Sequence, residues 1–100
     1  MKGIKHDEGK LQYHLFDPRI IRNVVLCLME GEKKYGKKNY LGLSEERIYD
    51  ASQRHLNSFY LDRIWLDSES GLPHLAYFIS NGVMLYELYE HNQKKKIGTL

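Results

Sequence analysis

Cysteine, strongly one-signed charge and long apolar runs are all scarce in this sequence, and each scarcity narrows the reading. The lone Cys27 has no partner within the chain, so neither an internal disulfide nor a disulfide scaffold is implied. No run of about 18 apolar residues occurs, and the opening MKGIKHDEGK carries charges with no apolar stretch behind them. Membrane spans and export leaders are therefore not expected, and the cytoplasm is the expected compartment. The formal net charge is only +2, well short of the basic balance of a dedicated duplex-DNA binder. A small anionic ligand fits that balance better.

What is present describes a folding chain. Hydrophobic residues make up 42%, charged residues 28% and aromatics 12%, the last too rich for a disordered segment. Eight of the aromatics are Tyr, whose ring packs on apolar surface while its hydroxyl reaches water or a polar ligand. One hundred residues leave room for one domain with one modest core, so a single helical domain over 1–100 is expected, with no internal repeat.

Along the chain, residues 1–16 are polar and then read LQYHLF, an irregular N-terminal arm. Asp17-Pro18 predicts a helix start, because Asp caps free amides and Pro is tolerated at the first helical position. Ile20, Ile21, Val24, Val25 and Leu28 recur at helical spacing and predict one core-facing stripe, and Gly36 supplies the stop. Ser44 followed by Glu45 and Glu46 predicts the next helix, roughly over 45–62, with Ile48, Ala51, Ser52, His55, Leu56 and Phe59 on one inward face.

The stretch LDSESGLP reads as a loop into a third helix near His74. From His74 to His91 that helix is apolar nearly all round, so it needs cover on several sides. Two partner helices of this length are too few for that. The expected fold is therefore all-α, a small helical bundle of about three main helices completed by homo-oligomerisation, a dimer or higher. The basic residues from 93 to 100 read as a mobile tail.

Chemistry-bearing residues gather at the entrance to the third helix, where Asp67, Glu69 and His74 fall close in sequence and Tyr77 and Asn81 follow on the same helical side. Carboxylates and neutral imidazole bind Mg²⁺ or Mn²⁺, and a metal bridging phosphate oxygens neutralises charge and positions water. The bland alternative is that Asp67 and Glu69 cap the helix, His74 satisfies buried hydrogen bonds and Asn81 makes an interhelical contact. For any one residue alone the bland reading is favoured, since no strict spacing motif such as HExxH occurs. The conjunction with Arg54-His55 carries the phosphate reading.

Arg54 offers a forked donor set to phosphate, with an i, i+4 ion pair to Asp50 as its structural alternative. Lys10 in HDEGK and Lys33, Lys34, Lys37 and Lys38 around Tyr35-Gly36 bring ammonium groups and backbone amides to the same task, or simply form a solvated face. Glu87 and Glu90 form an ExxE that reads as solvated, and Cys27 reads as core.

The segments HDEGKLQY, KKYGKKNY, DASQRHLNSF and DSESGLPHLAYFISN together resemble a phage-associated family, the N-terminal domain of dATP/dGTP diphosphohydrolases, related broadly to all-alpha, MazG-like nucleotide pyrophosphatases. That resemblance implies a helical, oligomeric nucleotide-binding module. In enzymatic members it implies metal-dependent release of pyrophosphate from purine deoxynucleoside triphosphates. Carried onto this chain, Lys10, Lys34, Arg54 and His55 face phosphates. Asp67 and Glu69 hold Mg²⁺ or Mn²⁺, and His55, His74, Asp67 and Glu69 form the catalytic set. Tyr35, Asn39, Tyr40 and Asn81 are assigned to base or sugar.

Three departures from the family pattern stand out. The second helix offers only Glu46 and Asp50 where paired acidic motifs hold Mg²⁺ in active relatives. Tyr40 stands where Trp is expected, and LDRIWLD replaces a Gly-Glu motif between the second and third helices. Two functions are therefore expected as rivals, with a purely structural oligomer as a third. One is a nucleotide pyrophosphohydrolase; the other is a non-catalytic phage protein that sequesters a nucleotide or cyclic-nucleotide signal, an anti-defence sponge. Neither calls for duplex nucleic acid or a membrane as partner.

Overall fold

The computed structural model describes residues 2–98. Three α-helices form the body: α1 (Pro18–Tyr35), α2 (Glu45–Tyr60) and α3 (His74–Gly98). Short 3-10 turns at Tyr13–Leu15 and Asn39–Gly42 precede and follow α1. No strand forms among the described residues, only an isolated antiparallel bridge between Leu66 and Pro73. The protein is all-α, and among the described residues no helix is long and apolar enough to cross a membrane.

Local chemistry sets the helix boundaries where the sequence indicates. The Asp17 carboxylate accepts from the Arg19 amide at 2.9 Å and also from the Arg19 guanidinium, with Pro18 at the first helical position. The chain leaves α1 at Gly36, whose φ of +94° suits a residue without Cβ. Ser44 accepts from the Arg47 amide to start α2, with Glu45 and Glu46 in its first turn. α3 extends further than the apolar pattern suggests. Residues 93–98, expected as part of a mobile tail, are helical up to Gly98, and residues 99 and 100 lie outside the described ones.

α3 is the shared scaffold. α2 packs along it most extensively and α1 packs on it at a second flank. Val24, Cys27, Ile48, Ala76 and Leu88 are the buried hydrophobic residues, with Ser52, His74, Ser80 and Asn81 buried among them. The inward face predicted for α2 is present, with Ile48 and Ser52 buried and Ala51, His55, Leu56 and Phe59 half-buried.

The stripe predicted for α1 is covered only in part. Val24 is buried and Leu28 half-buried, but Ile20, Ile21 and Val25 are exposed. The reason is geometric: within the chain α1 has only α3 as an extensive packing partner, so one side of its apolar stripe faces outward. On α3 itself Val83, Tyr86 and Tyr89 are also exposed. The radius of gyration is 17.4 Å and the thinnest extent 25 Å, against about 13 Å for the radius of a closed 100-residue domain. The open shape leaves a cleft between the end of α1, the Asn39–Gly42 turn, and the facing sides of α2 and α3.

Candidate functional site

The cleft encloses a cavity of about 440 Å³, within the range of small-molecule sites. α3 supplies one wall through Tyr77, Ser80, Asn81, Met84 and Glu87, residues three and four apart and hence on one helical side. α1 supplies Cys27, Glu30, Gly31, Lys34 and Tyr35 by the same spacing. The following loop adds Lys37, Lys38, Asn39 and Tyr40, and α2 adds Arg47, Ile48, Ala51 and His55.

Two ion pairs hold the α1 end in place over α3. Lys34 Nζ donates to Glu69 Oε1 at 2.6 Å, tying α1 to the loop before α3. Lys38 Nζ and Tyr40 Oη both donate to Glu87 Oε2, at 2.6 and 2.8 Å. Those bonds hold the Glu87 carboxyl below its ordinary range, the Lys38 bond first and the Tyr40 bond second. Burial, with the Glu87 bond, pushes the Tyr40 phenol up. Lys37 and Arg47 line the cavity without an ion pair among the described residues.

Asn81 is the unusual wall residue. It is 6% exposed, it lines the cavity, and its side-chain amide has no hydrogen-bond partner among the described residues. Buried amides are ordinarily bonded, and one left open toward a cavity is set to meet a ligand or water there. Its neighbour Ser80, by contrast, is satisfied by donating to the Tyr77 carbonyl at 2.9 Å.

Behind His55, three donors converge at the α2–α3 junction. His55 Nδ1 and His74 Nδ1 stand 2.8 Å apart, and with one Asp67 oxygen their ligand atoms all lie within 4.8 Å of one another. The loop accounts for the placement of Asp67. Its amide donates to the Leu72 carbonyl and its carbonyl accepts from Gly71, where φ is +73°, while the His74 amide donates to Trp65. Asp67 Oδ2 accepts from both Ser70 N and Ser70 Oγ, at 2.9 and 3.0 Å.

Burial raises the Asp67 carboxyl, but the Ser70 bonds and then the two imidazoles outweigh it and leave it below the ordinary range. His55 is held below its ordinary value, by burial first and then by His74 and Arg54, against the pull of Asp67. Tyr77 stacks on the His55 ring with centroids 4.6 Å apart and planes 12° from parallel, which fixes that ring's orientation. Cys27, buried close by, has its thiol pushed up to about 12 by burial, with the Asp67 and Glu30 charges adding to it.

The sequence-derived candidates divide three ways. His55, His74 and Asp67 come together, while Glu69 lies outside their group with its carboxylate on Lys34. Lys34, Tyr35, Asn39, Tyr40 and Asn81 line the cavity, Lys34 and Tyr40 through bonded side chains. Arg54 and Lys10 are exposed and outside it, and the alternative Asp50–Arg54 ion pair is absent among the described residues. Sequence reasoning passed over Glu30, Arg47 and Ser80 and assigned Glu87 to solvent. The three- and four-residue spacing from Tyr77 through Met84 to Glu87 is the signal that places Glu87 on the cavity wall.

The family described as dATP/dGTP diphosphohydrolase, N-terminal, matches residues 1–97. A protein of Salmonella phage PMBT28 named dATP/dGTP diphosphohydrolase is 40% identical over 88 residues, covering 88% of this chain. The chain spans only 30% of the length of that relative. No solved structure matches. With its matched segment running nearly end to end, the chain belongs to the dATP/dGTP diphosphohydrolase N-terminal family.

Proposed function

We propose that the chain binds a purine nucleotide in the α1–α2–α3 cavity and supports its hydrolysis to monophosphate and pyrophosphate, as the name of its phage relative suggests. Asn81 carries the reading. A nearly buried amide holding both a donor and an acceptor without partners matches the edge of a purine base, which presents the complementary pair. Tyr35 and Tyr40 flank the same space for the sugar or the base face. Lys37 and Arg47 supply unpaired cations for phosphate at the rim. Lys34 and Lys38 join them when the phosphates draw them from Glu69 and Glu87.

A divalent metal fits beside this cavity rather than at a carboxylate pair, since Glu69 is committed to Lys34. Such an ion supplies charge neutralisation for phosphate and an activated water. The second reading, sequestration without cleavage, is favoured by one observation: Glu87 and Glu69 are tied up by lysines, which leaves Glu30 and Glu32, both on α1, as the wall acids without an ion pair among the described residues. The exposed apolar faces of α1 and α3 support a homo-oligomer, and the setting proposed for it is the host cytoplasm of a phage-encoded protein.

Incubation of the purified chain with dATP and dGTP, with and without divalent cations, followed by mass spectrometry of the nucleotides, tests the proposal. Monophosphate and pyrophosphate mark the hydrolase, and intact nucleotide recovered from the protein marks the sequestering form. Neither binding nor turnover would remove both.

A further inference from the structure

We propose that His55, Asp67 and His74 bind a divalent transition-metal ion, of the zinc or cobalt type rather than Mg²⁺, in the wall behind the cavity. The inference goes beyond the nucleotide reading and needs no nucleotide to be true. Three separate parts of the chain bring one ligand atom each to a common point: α2 gives His55, the Asp67–Gly71 turn gives Asp67, and α3 gives His74. All three atoms lie within 4.8 Å of one another, a convergence that helix packing alone does not call for.

The spacing fits one ion. With metal–nitrogen bonds of about 2.1 Å, two imidazoles stand about 3.0 Å apart in cis octahedral positions and about 3.4 Å apart in tetrahedral ones. The observed Nδ1–Nδ1 separation is 2.8 Å, so an ion enters with small ring adjustments. Supporting contacts hold two of the ligands. Ser70 holds the Asp67 carboxylate through Oδ2, and Tyr77 stacks on the His55 ring. Such outer contacts are what orient metal ligands in general.

Donor chemistry decides the class of ion. Mg²⁺ takes oxygen ligands and dehydrates reluctantly, whereas two imidazoles and one carboxylate suit zinc and its first-row neighbours. Three protein ligands leave further positions open, as in catalytic rather than structural zinc sites. His55 also lines the cavity, so the site adjoins the place proposed for the nucleotide. The rival account is a plain hydrogen bond between two imidazoles beside a carboxylate, which requires no affinity for a metal.

Cobalt separates the two. The chain, stripped with a chelator, is titrated with Co²⁺ and followed by visible absorption, without nucleotide. The expected result is a ligand-field band saturating at one ion per chain, displaced by Zn²⁺ and unaffected by millimolar Mg²⁺. Asp67→Asn and His74→Gln each remove the band, and Glu69→Gln keeps it; circular dichroism verifies the folded state of each variant. Absence of a band in the wild-type chain, a band surviving both Asp67→Asn and His74→Gln, or displacement by Mg²⁺ as readily as by Zn²⁺ overturns the proposal. Nucleotide binding measured in EDTA tests the cavity separately, so either reading can fail alone.

Discussion

Replacing Asn81 with Leu should make the protein more stable and a poorer nucleotide binder, two effects of opposite sign from one substitution. Leu has similar bulk, so the α3 packing around position 81 is kept. What changes is the amide of a nearly buried residue, which reaches the cavity and has no hydrogen-bond partner among the described residues. A fully buried, unpartnered amide costs about 1–3 kcal/mol in protein mutation series, but no side-chain N or O atom among the described residues is both fully buried and unpartnered. Because this one retains contact with the cavity, the low end applies, and a gain of about 1 kcal/mol raises Tm by roughly 4–8 °C in a domain of this size.

The binding effect follows from the same atoms. A side-chain amide bonded to a base edge through both its donor and its acceptor contributes about 1–3 kcal/mol, so Kd for dATP or dGTP should weaken roughly 5- to 150-fold. Thermal denaturation by circular dichroism gives the first number, and isothermal calorimetry with each nucleotide in EDTA gives the second. An Asn81→Leu protein that melts below the wild type, or one that binds both nucleotides as tightly, refutes the argument that this amide is held open for a ligand.

Leu88 is 1% exposed on α3, and Leu88→Ala should cost about 2–5 kcal/mol, seen as a clear fall in the urea midpoint; a loss under about 1 kcal/mol would show the core lies elsewhere. Glu87 is held below its ordinary value of 4.5 by Lys38 and Tyr40, so its contribution to stability is present above that value and is lost as pH falls through the lower folded one. Chemical denaturation against pH should therefore flatten in Glu87→Gln, and an unchanged pH profile would break the link. Cys27, buried with its thiol pushed up to about 12, should resist a thiol reagent at pH 8 until the protein is unfolded; rapid native labelling would contradict its placement. Gly36→Ala should destabilise by about 1 kcal/mol or more, because Ala disfavours φ of +94°, and unchanged thermal stability would contradict that backbone geometry.

Helix identity was legible in the sequence because it depends on neighbours in the chain. Asp17-Pro18, Ser44-Glu45-Glu46 and Gly36 act through backbone amides one to four residues away, and the structure places the caps and stops there. The meeting of His55, Asp67 and His74 was partly legible too, since the loop that carries Asp67 joins the two helices that carry His55 and His74. Other features depend on contacts far apart in sequence. Only the fold decides that Glu69 goes to Lys34 and Glu87 to Lys38 and Tyr40, because each pair bridges elements whose facing sides are set by packing on α3.

The same holds for the exposed half of the α1 stripe. Periodicity says which residues share a side, but whether that side is covered depends on how many helices reach it. The sequence by itself determined an all-α chain of this family, the starts of its helices and the end of α1 at Gly36, and the residues of its polar clusters. Tertiary structure decided which of those residues share a cavity, which acids are neutralised by lysines, and that two imidazoles and a carboxylate point at one another. Those are questions of distance across space, and only packing answers them.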